Sequence, residues 1–333
     1  HRMKDQSIFE FSQLEPMLAT HGPVAHLDAQ RWAFEGKFDG YRMLVAVDHG
    51  SLRLRSRGGR DVTDEFRQLQ PLAAALADHR AVFDGEVVAL DDDGVPSFSA
   101  LQHRAADTPI EFWAFDLLYL DGRPLVRAGY RDRRRLLEIL TRDTDLVVPE
   151  LLPGDGAQAL ATARQRGWEG VVAKQWDATY RPGCRTRTWI KDKFWNTQDV
   201  VIGGWRRGAR SSGIGALLLG IPGAGGLDAG GLEAGGLEAG GLEAGGLEYV
   251  GRVGTGFTGR DLADLQQRLA PLHAAESPFK TPLSDRDTEG VSFVRPVLVG
   301  EVRYRDWTTA GRLRQASWRG LRPDKTAEQV VRE

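Results

Sequence analysis

Between Arg31 and Phe194 the chain trades short β-type runs against stretches of helical spacing. Runs rich in Val, Leu, Phe and Tyr predict strands at Trp32–Glu35, Tyr41–Val47, Leu52–Ser56, Val82–Phe83, Glu86–Leu90, Phe112–Tyr119, Leu146–Val148, Gly170–Lys174 and Thr188–Lys193. Helices are predicted over Asp64–Ala77, where Phe66, Leu69, Leu72 and Leu76 share a face, over Arg131–Leu140, and over Ala157–Arg166 with Gly167 as its stop. This mixture predicts an α+β domain built on antiparallel sheets.

The pattern changes after Asn196. Val200–Trp205, Ala216–Ile221, Tyr249–Val253, Val299–Tyr304 and Arg312–Ser317 read as five short strands, with one helix around Arg260–Leu269. Five strands and a helix fit a small Greek-key β-barrel of the OB type, a pattern shared with other barrels. Between the second and third strands a pentapeptide recurs five times, from GGLDA to GGLEY. Its glycines disfavour a helix and one leucine per repeat builds no core, so residues 225–249 are expected to form an acidic loop expansion. The expected organisation is a connector at 1–15, a first domain at 16–196 and a barrel at 197–333.

Composition narrows the class. Hydrophobic residues at 41% and charged residues at 27% describe a globular chain. No apolar run reaches the roughly 18 residues of a membrane-spanning helix, so no membrane partner is expected. The start, HRMKDQSIFEF, lacks the apolar stretch of a signal peptide and begins with His, as expected of a segment cut from a longer polypeptide. The single cysteine, Cys184, excludes an intramolecular disulfide framework and a Cys-rich zinc site and fits a reducing cytoplasm. The histidines show no ligand spacing, so a metal would need oxygen ligands and be a hard cation.

The net charge of −2 hides a division. The repeat block holds five acids and no base, whereas Arg181–Arg210 holds eight bases against two acids. The basic window can follow a phosphate backbone or simply be a solvated face. Of 44 basic residues only seven are lysines. A lysine can lose its proton and attack where an arginine cannot, so these few positions rank first as chemistry.

The densest constellation is Glu35-Gly36-Lys37-Phe38-Asp39-Gly40-Tyr41-Arg42. Asp-Gly alone reads as a hairpin turn, and the chain has five such pairs. A hairpin leaves Lys37 and Arg42 unexplained. A lysine flanked by carboxylates and followed by an arginine suits an amine that attacks a nucleotide phosphate, with the arginine for ribose or phosphate oxygens and Asp39 for a metal.

The string Lys37-Phe-Asp39-Gly40-Tyr-Arg42 resembles the K-x-D-G-x-R signature of covalent nucleotidyltransferases: ATP-dependent DNA ligases, RNA ligases and mRNA capping enzymes. The remaining elements follow in order. Ser56-Arg57-Gly58-Gly59 resembles S-R-x-G, and Phe83-Asp84-Gly85-Glu86 resembles the D-G-E motif. The segment from Phe112 to Gly122, with Phe115, resembles the strand whose aromatic stacks on adenine. Glu169-Gly170-Val171-Val172-Ala173-Lys174 matches E-G-x-x-x-K, Lys191-Asp192-Lys193 the paired-lysine motif, and Arg314 through Lys325 the last ligase motif with its R-x-D-K ending. Ordered over nearly the whole chain, these elements are most similar to the ligase domains of bacterial multifunctional end-joining proteins.

The resemblance implies roles. Lys37 would accept AMP from ATP, with Lys191 and Lys193 neutralising the α-phosphate. Glu35 would read adenine, between Phe115 on one face and Val172 on the other. Arg42, Arg57 and Glu86 would hold ribose or phosphates, and Arg314, Arg322 and Lys325 would complete the nucleotide site. Asp39, Glu169 and Glu86 would carry Mg²⁺ or Mn²⁺. Neighbouring cations and the metal are expected to depress the Lys37 pKa. Nicked or broken duplex DNA is the implied substrate of a cytoplasmic, monomeric enzyme, with Ku and fused polymerase and nuclease modules as associates. A non-catalytic DNA-end binding module is the alternative, and the intact Lys37, Glu169, Lys191 and Lys193 weigh against it.

Overall fold

The computed structural model describes residues 10–209, 213–223 and 246–333. Residues 1–9 of the connector expected at 1–15 and the acidic repeat as far as residue 245 lie outside the described residues, as does Arg210 of the basic window. The chain divides into two compact units, His1–Phe194 and Trp195–Glu333.

The first unit runs β1 (Leu18–His21), β2 (Trp32–Lys37), β3 (Tyr41–Asp48), β4 (Ser51–Ser56), β5 (Arg80–Val88), α1 (Phe98–Gln102), β6 (Glu111–Leu120), β7 (Arg123–Pro124), α2 (Tyr130–Thr141), α3 (Gly156–Gln165), β8 (Gly170–Gln175) and β9 (Arg185–Lys193). Its strands form two sheets, ordered β1-β9-β8-β2 and β4-β3-β5-β6-β7. Among the described residues these strands pair antiparallel, except β1 with β9.

Alternation along the strands sorts the side chains. Tyr41, Met43, Val45 and Val47 of β3, with Phe83 and Val87 of β5, enter one core together with Phe66, Leu69, Ala73 and Leu76. The intervening Leu44 and Val82 face the opposite way and meet Met17, Tyr180 and Trp189, which joins the two sheets face to face. The outer face of the smaller sheet, with Phe34, Val171 and Ala173, is covered by Ala159 and Ala163 of α3. That helix starts with a capping box between Asp155 and Gln158, and Gly167, at φ 72°, ends it as expected.

Three local expectations differ from the structure. Asp64–Ala77 forms 3₁₀ turns over Thr63–Leu76, interrupted at Phe66, whose φ of −125° and ψ of 39° are non-helical, and Pro71 further along lacks an N–H to donate. The strands expected on either side of Asp84-Gly85 are one continuous strand, β5. Lys37 to Arg42, which a hairpin left unexplained in the sequence, is not a hairpin: β2 and β3 belong to different sheets. Gly40 is needed there for space, since a Cβ would fall 2.2 Å from the Val87 carbonyl oxygen. Finally, within the expected connector, Phe11 and Leu14 are core residues, and Arg55 donates hydrogen bonds to both of their carbonyls.

The second unit comprises β10 (Asn196–Arg207), β11 (Ile214–Pro222), β12 (Leu247–Val253), α4 (Gly259–Leu269), α5 (Asp285–Thr288), β13 (Val291–Phe293), β14 (Val299–Tyr304), β15 (Asp306–Trp307), β16 (Leu313–Arg314) and β17 (Ser317–Leu321). Five of these strands run antiparallel in the order β12-β11-β10-β14-β17, as an OB-type barrel requires, and β13 adds to β10. The strand expected at Arg312–Ser317 is broken into β16 and β17, because Gln315 takes a left-handed φ of 53°. Among the described residues no helix is long and apolar enough to cross a membrane.

Candidate active site

The register of the smaller sheet sets one row of chemistry on one face. Lys37 lies opposite Gly170, which lies opposite Lys193; Glu35 lies opposite Val172, which lies opposite Lys191. Directly opposed residues on adjacent strands project to the same side, so Glu35, Lys37, Val172, Lys174, Lys191 and Lys193 share the face turned away from α3. Gly170 is the gap in the row: a Cβ there would stand 2.1 Å from the Asp192 carbonyl oxygen. Val172 is the residue that stays partly exposed while Val171 and Ala173 are buried.

The Glu169 N–H donates to the Lys37 carbonyl at 3.2 Å, which places the Glu169 carboxylate beside the amine. Lys37 Nζ donates to Glu169 Oε2 at 2.7 Å, and the lysine side chain keeps 24% of its exposure. Burial pulls the Lys37 pKa down, but Glu169, Glu86 and Asp39 outweigh it and hold the amine above its ordinary value. Without metal or nucleotide the dominant neighbours of Lys37 are carboxylates, which favour its protonated form, so the depression expected from neighbouring cations and the metal is not supplied by the protein's own groups.

The five-stranded sheet supplies the second wall. Arg42 lies opposite Glu86, on the face of Leu44 and Val82. Its Nε and Nη2 donate to the two oxygens of the fully buried Asp84 at 3.0 and 2.6 Å. Tyr180 donates to Asp84 at 2.7 Å and accepts from the Met17 N–H at 2.9 Å. Burial works against the Arg42 charge, yet Asp84 holds its pKa well above the ordinary arginine value. Phe115 occupies a β-bulge, because Asp116 opposes Asp84 while Ala114 opposes Gly85. An extra residue re-aims its neighbours, and the Phe115 ring lies 5.6 Å from the Arg42 guanidinium and 4.5 Å from Lys174 Nζ. Arg57 sits in the turn after β4, where Gly59 has φ 85°, at the end of the sheet that also carries Arg42.

Glu35 is buried and engaged. Its Oε2 lies 2.7 Å from Lys174 Nζ, and its Oε1 accepts the Tyr130 hydroxyl hydrogen bond. Its carboxylate therefore reads a base only by sharing these donors; its strand backbone is the other candidate.

Asp39, Glu86 and Glu169 all act on the Lys37 charge. Among the described residues, however, no three His, Cys, Asp or Glu side chains form a group that would hold a metal ion. The expected three-carboxylate site is thus not preassembled: Glu169 is bound by Lys37, and Asp39 Oδ2 takes the Phe98 N–H at 3.4 Å. The donor set still suits a hard cation that binds one or two carboxylates and fills its shell with water and phosphate oxygens.

The motif residues of the second unit are arranged differently. Asp199 and Glu301 are directly opposed on β10 and β14, an unfavourable like-charge pair. Arg322 answers it: its Nε and Nη2 donate to Asp324 at 2.9 and 2.8 Å, and its Nη1 donates to Glu301 at 3.1 Å. Lys325 bonds Asp199, and Arg319 pairs with Glu301 at 3.1 Å. Arg322 and Lys325, expected at nucleotide, are here held by carboxylates of their own unit. Burial opposes the Asp324 charge, but Arg322 and Lys325 bring its pKa below the ordinary carboxylate value. Arg314 makes an exposed pair with Asp306 at 3.4 Å.

Several functional neighbours escaped the sequence reading, namely Tyr130, Arg133, Arg134 and Tyr180. The signal that could have found the arginines is their spacing, which puts both on the buried stripe of α2.

Residues 16–193 match the model of the ATP dependent DNA ligase domain, and residues 210–325 match the ATP dependent DNA ligase C terminal region. The chain is 60% identical over 338 residues to the multifunctional non-homologous end joining DNA repair protein LigD of Mycobacterium tuberculosis, covering all of this chain and 42% of that protein. It is 37% identical over 310 residues to the Pseudomonas aeruginosa LigD, covering 91% of this chain and 35% of that one. Among solved structures, a mycobacterial DNA ligase D complexed with ATP and MES superposes with a TM-score of 0.73 at 59% identity, covering 98% of this chain and 100% of that one. The M. tuberculosis LigD ligase domain gives 0.56 at 60% identity, with the same coverage. The chain thus spans less than half the length of these curated relatives. Two ligase family models cover its two units, each carrying its share of the ordered motifs, and the chain belongs to the ATP-dependent DNA ligases.

Proposed function

We propose that this chain seals a DNA 3′-hydroxyl to a 5′-phosphate through a lysyl-AMP intermediate. The observation that carries this reading is the row of Lys37, Lys191 and Lys193 around Gly170 and Val172, facing the same space as Arg42 and Phe115. Lys37 sheds one proton, with Glu169 Oε2 at 2.7 Å as the acceptor, and its Nζ lone pair forms a bond to the α-phosphorus. The bond from that phosphorus to the bridging oxygen breaks, pyrophosphate leaves, and the nitrogen gives up its second proton to the departing pyrophosphate or solvent, leaving a phosphoramidate with a neutral nitrogen. Lys191 and Lys193 stabilise the charge that grows on the phosphoryl oxygens, where preorganised cations contribute most. Phe115 and Val172 flank the adenine, Glu35 reads its edge, and Arg42, Arg57 and Glu86 hold the ribose and phosphates. A Mg²⁺ or Mn²⁺ ion held by Glu86, Asp39 or Glu169 together with phosphate oxygens would supply further charge neutralisation. AMP then passes to the 5′-phosphate, and the 3′-hydroxyl displaces it. Arg314, Arg322 and Lys325 would meet the pyrophosphate end of ATP once Arg322 and Lys325 exchange their carboxylate partners for phosphate oxygens.

The LigD relatives, multifunctional non-homologous end joining proteins by name and more than twice as long as this chain, support a place in bacterial end joining; the proposal adds a cytoplasmic location, fused polymerase and nuclease modules and Ku as partner. Single-turnover sealing of a nicked duplex by this chain with ATP and Mn²⁺ tests the reading. A joined strand and released AMP are expected. A chain that binds DNA ends, takes no label from α-phosphate-labelled ATP and leaves the nick open would instead be a binding module.

A further inference from the structure

Helix α2 carries a buried stripe at residues 130, 133, 134, 137 and 141, the spacing of a core-facing surface. Two of the five are arginines, a residue type rarely buried without partners. Arg133 reaches the five-stranded sheet, where Nε and Nη2 donate to the two oxygens of Asp116 at 2.7 and 3.0 Å. Its Nη1 also donates to the carbonyls of Ala128 and Ala178. Tyr130 and Arg134 reach the other sheet. The Tyr130 hydroxyl donates to Glu35 Oε1, and Arg134 Nη1 lies 3.6 Å from the same oxygen. Glu35 is two residues before Lys37 on the same strand face, and Asp116 directly follows Phe115 in the bulge. One helix face therefore grips both walls of the nucleotide site.

We propose that α2 is a clamp on the base pocket, in which Tyr130 positions Glu35 and Arg133 positions Phe115, and that these two residues set nucleotide affinity and the preference for ATP over GTP. The inference rests on the ATP-pocket reading above. An apolar stripe would bury the helix at least as well, since hydrophobic replacement of a buried ion pair is often neutral or stabilising. Directional bonds to Glu35 and Asp116 add what packing lacks, a fixed orientation and spacing of the groups beside the purine. Burial, reinforced by Glu35, holds the Tyr130 phenol well above its ordinary pKa, so it remains a donor throughout the working range.

The test is Tyr130→Phe in the full chain, which removes one donor and keeps the ring. Lysyl-AMP formation is measured against ATP and GTP concentration, alongside thermal melting. The clamp predicts a rise of about tenfold in KM for ATP, the size of one lost hydrogen bond to a charged group. It also predicts a narrowed ATP/GTP preference and an unchanged kcat. Arg133→Lys, which keeps the charge and breaks the fork, should move the same quantities in the same direction, and it carries the test if Tyr130→Phe does not fold. Unchanged KM and preference with a lowered melting temperature would overturn the clamp and leave α2 a packing element. So would a fall in kcat with KM unchanged. Lys37→Ala run in parallel separates the two claims: label retained there defeats the ATP-pocket reading, whereas label lost there with normal Tyr130→Phe kinetics defeats the clamp alone.

Discussion

Lys37 and Lys325 are both motif lysines bonded to a carboxylate, yet their settings differ. Lys37 keeps a quarter of its exposure, and its partner Glu169 is engaged at the edge of a row that includes Lys191 and Lys193. Lys325 closes a buried network in which Asp199, Glu301 and Asp324 are matched against Arg319, Arg322 and Lys325 itself. In the first unit Lys37, Lys191 and Lys193 all stay partly exposed, as the proposed phosphate contacts require. In the second they neutralise two carboxylates that the strand register forces together. A motif names the chemical group; packing decides whether a ligand must displace a partner to use it.

Substitutions sharpen this contrast, and the largest effect belongs to the first unit. Lys37→Ala should abolish acid-stable labelling by α-phosphate-labelled ATP while the melting temperature holds. Lys193→Ala should slow adenylylation by about 10²–10³-fold, the usual cost of removing one preorganised electrostatic group, with nucleotide binding retained in equilibrium titration. Loss of binding with unchanged chemistry would refute the role given to Lys193. In the second unit the cost should appear as stability. Arg322→Met strands Asp324 and Glu301, and chemical denaturation should show a loss of about 3–5 kcal/mol, as for one broken side of a buried pair.

Acid offers a milder probe of the same network. The folded pKa of Asp324 lies below its ordinary value of 3.8, so its contribution is fully present above that value and is lost as pH falls through the folded pKa. Melting of the second unit should therefore weaken in that acid window, and Asp324→Asn should flatten the dependence. The smallest effect is expected of Arg314→Ala: Arg314 is exposed and its partner Asp306 half-exposed, and a change of about 0–1 kcal/mol is predicted by the same denaturation measurement.

The sequence made the lysine row legible because the proposed chemistry restricts residue identity at Lys37, Lys191 and Lys193 and strand alternation fixes their common face; Glu169, just before β8, was legible from its motif alone. Most strands were legible for the same periodic reason. Partnerships across the fold were not. Arg133 and Arg134 look like part of a charged helix surface until Asp116 and Glu35, distant in sequence, are brought beneath them. Arg322 and Lys325 read as ligand-binding bases because nothing local shows that Asp199 and Glu301 share a register position. The Asp-Gly pairs at 39–40 and 84–85 gave no sign of their packing role, which is close backbone approach at Gly40, between the two sheets, and at Gly85, within a strand.

The central claim is that the Lys37 amine, held protonated by carboxylates in the nucleotide-free chain, becomes the atom bonded to AMP. Tandem mass spectrometry of the chain after incubation with ATP and Mg²⁺ tests it most directly. The account predicts a single AMP adduct on the peptide containing Lys37, with the fragment series placing it on that lysine. An adduct on Lys174, Lys191 or Lys193, or nucleotide that is bound but never covalent, would contradict it.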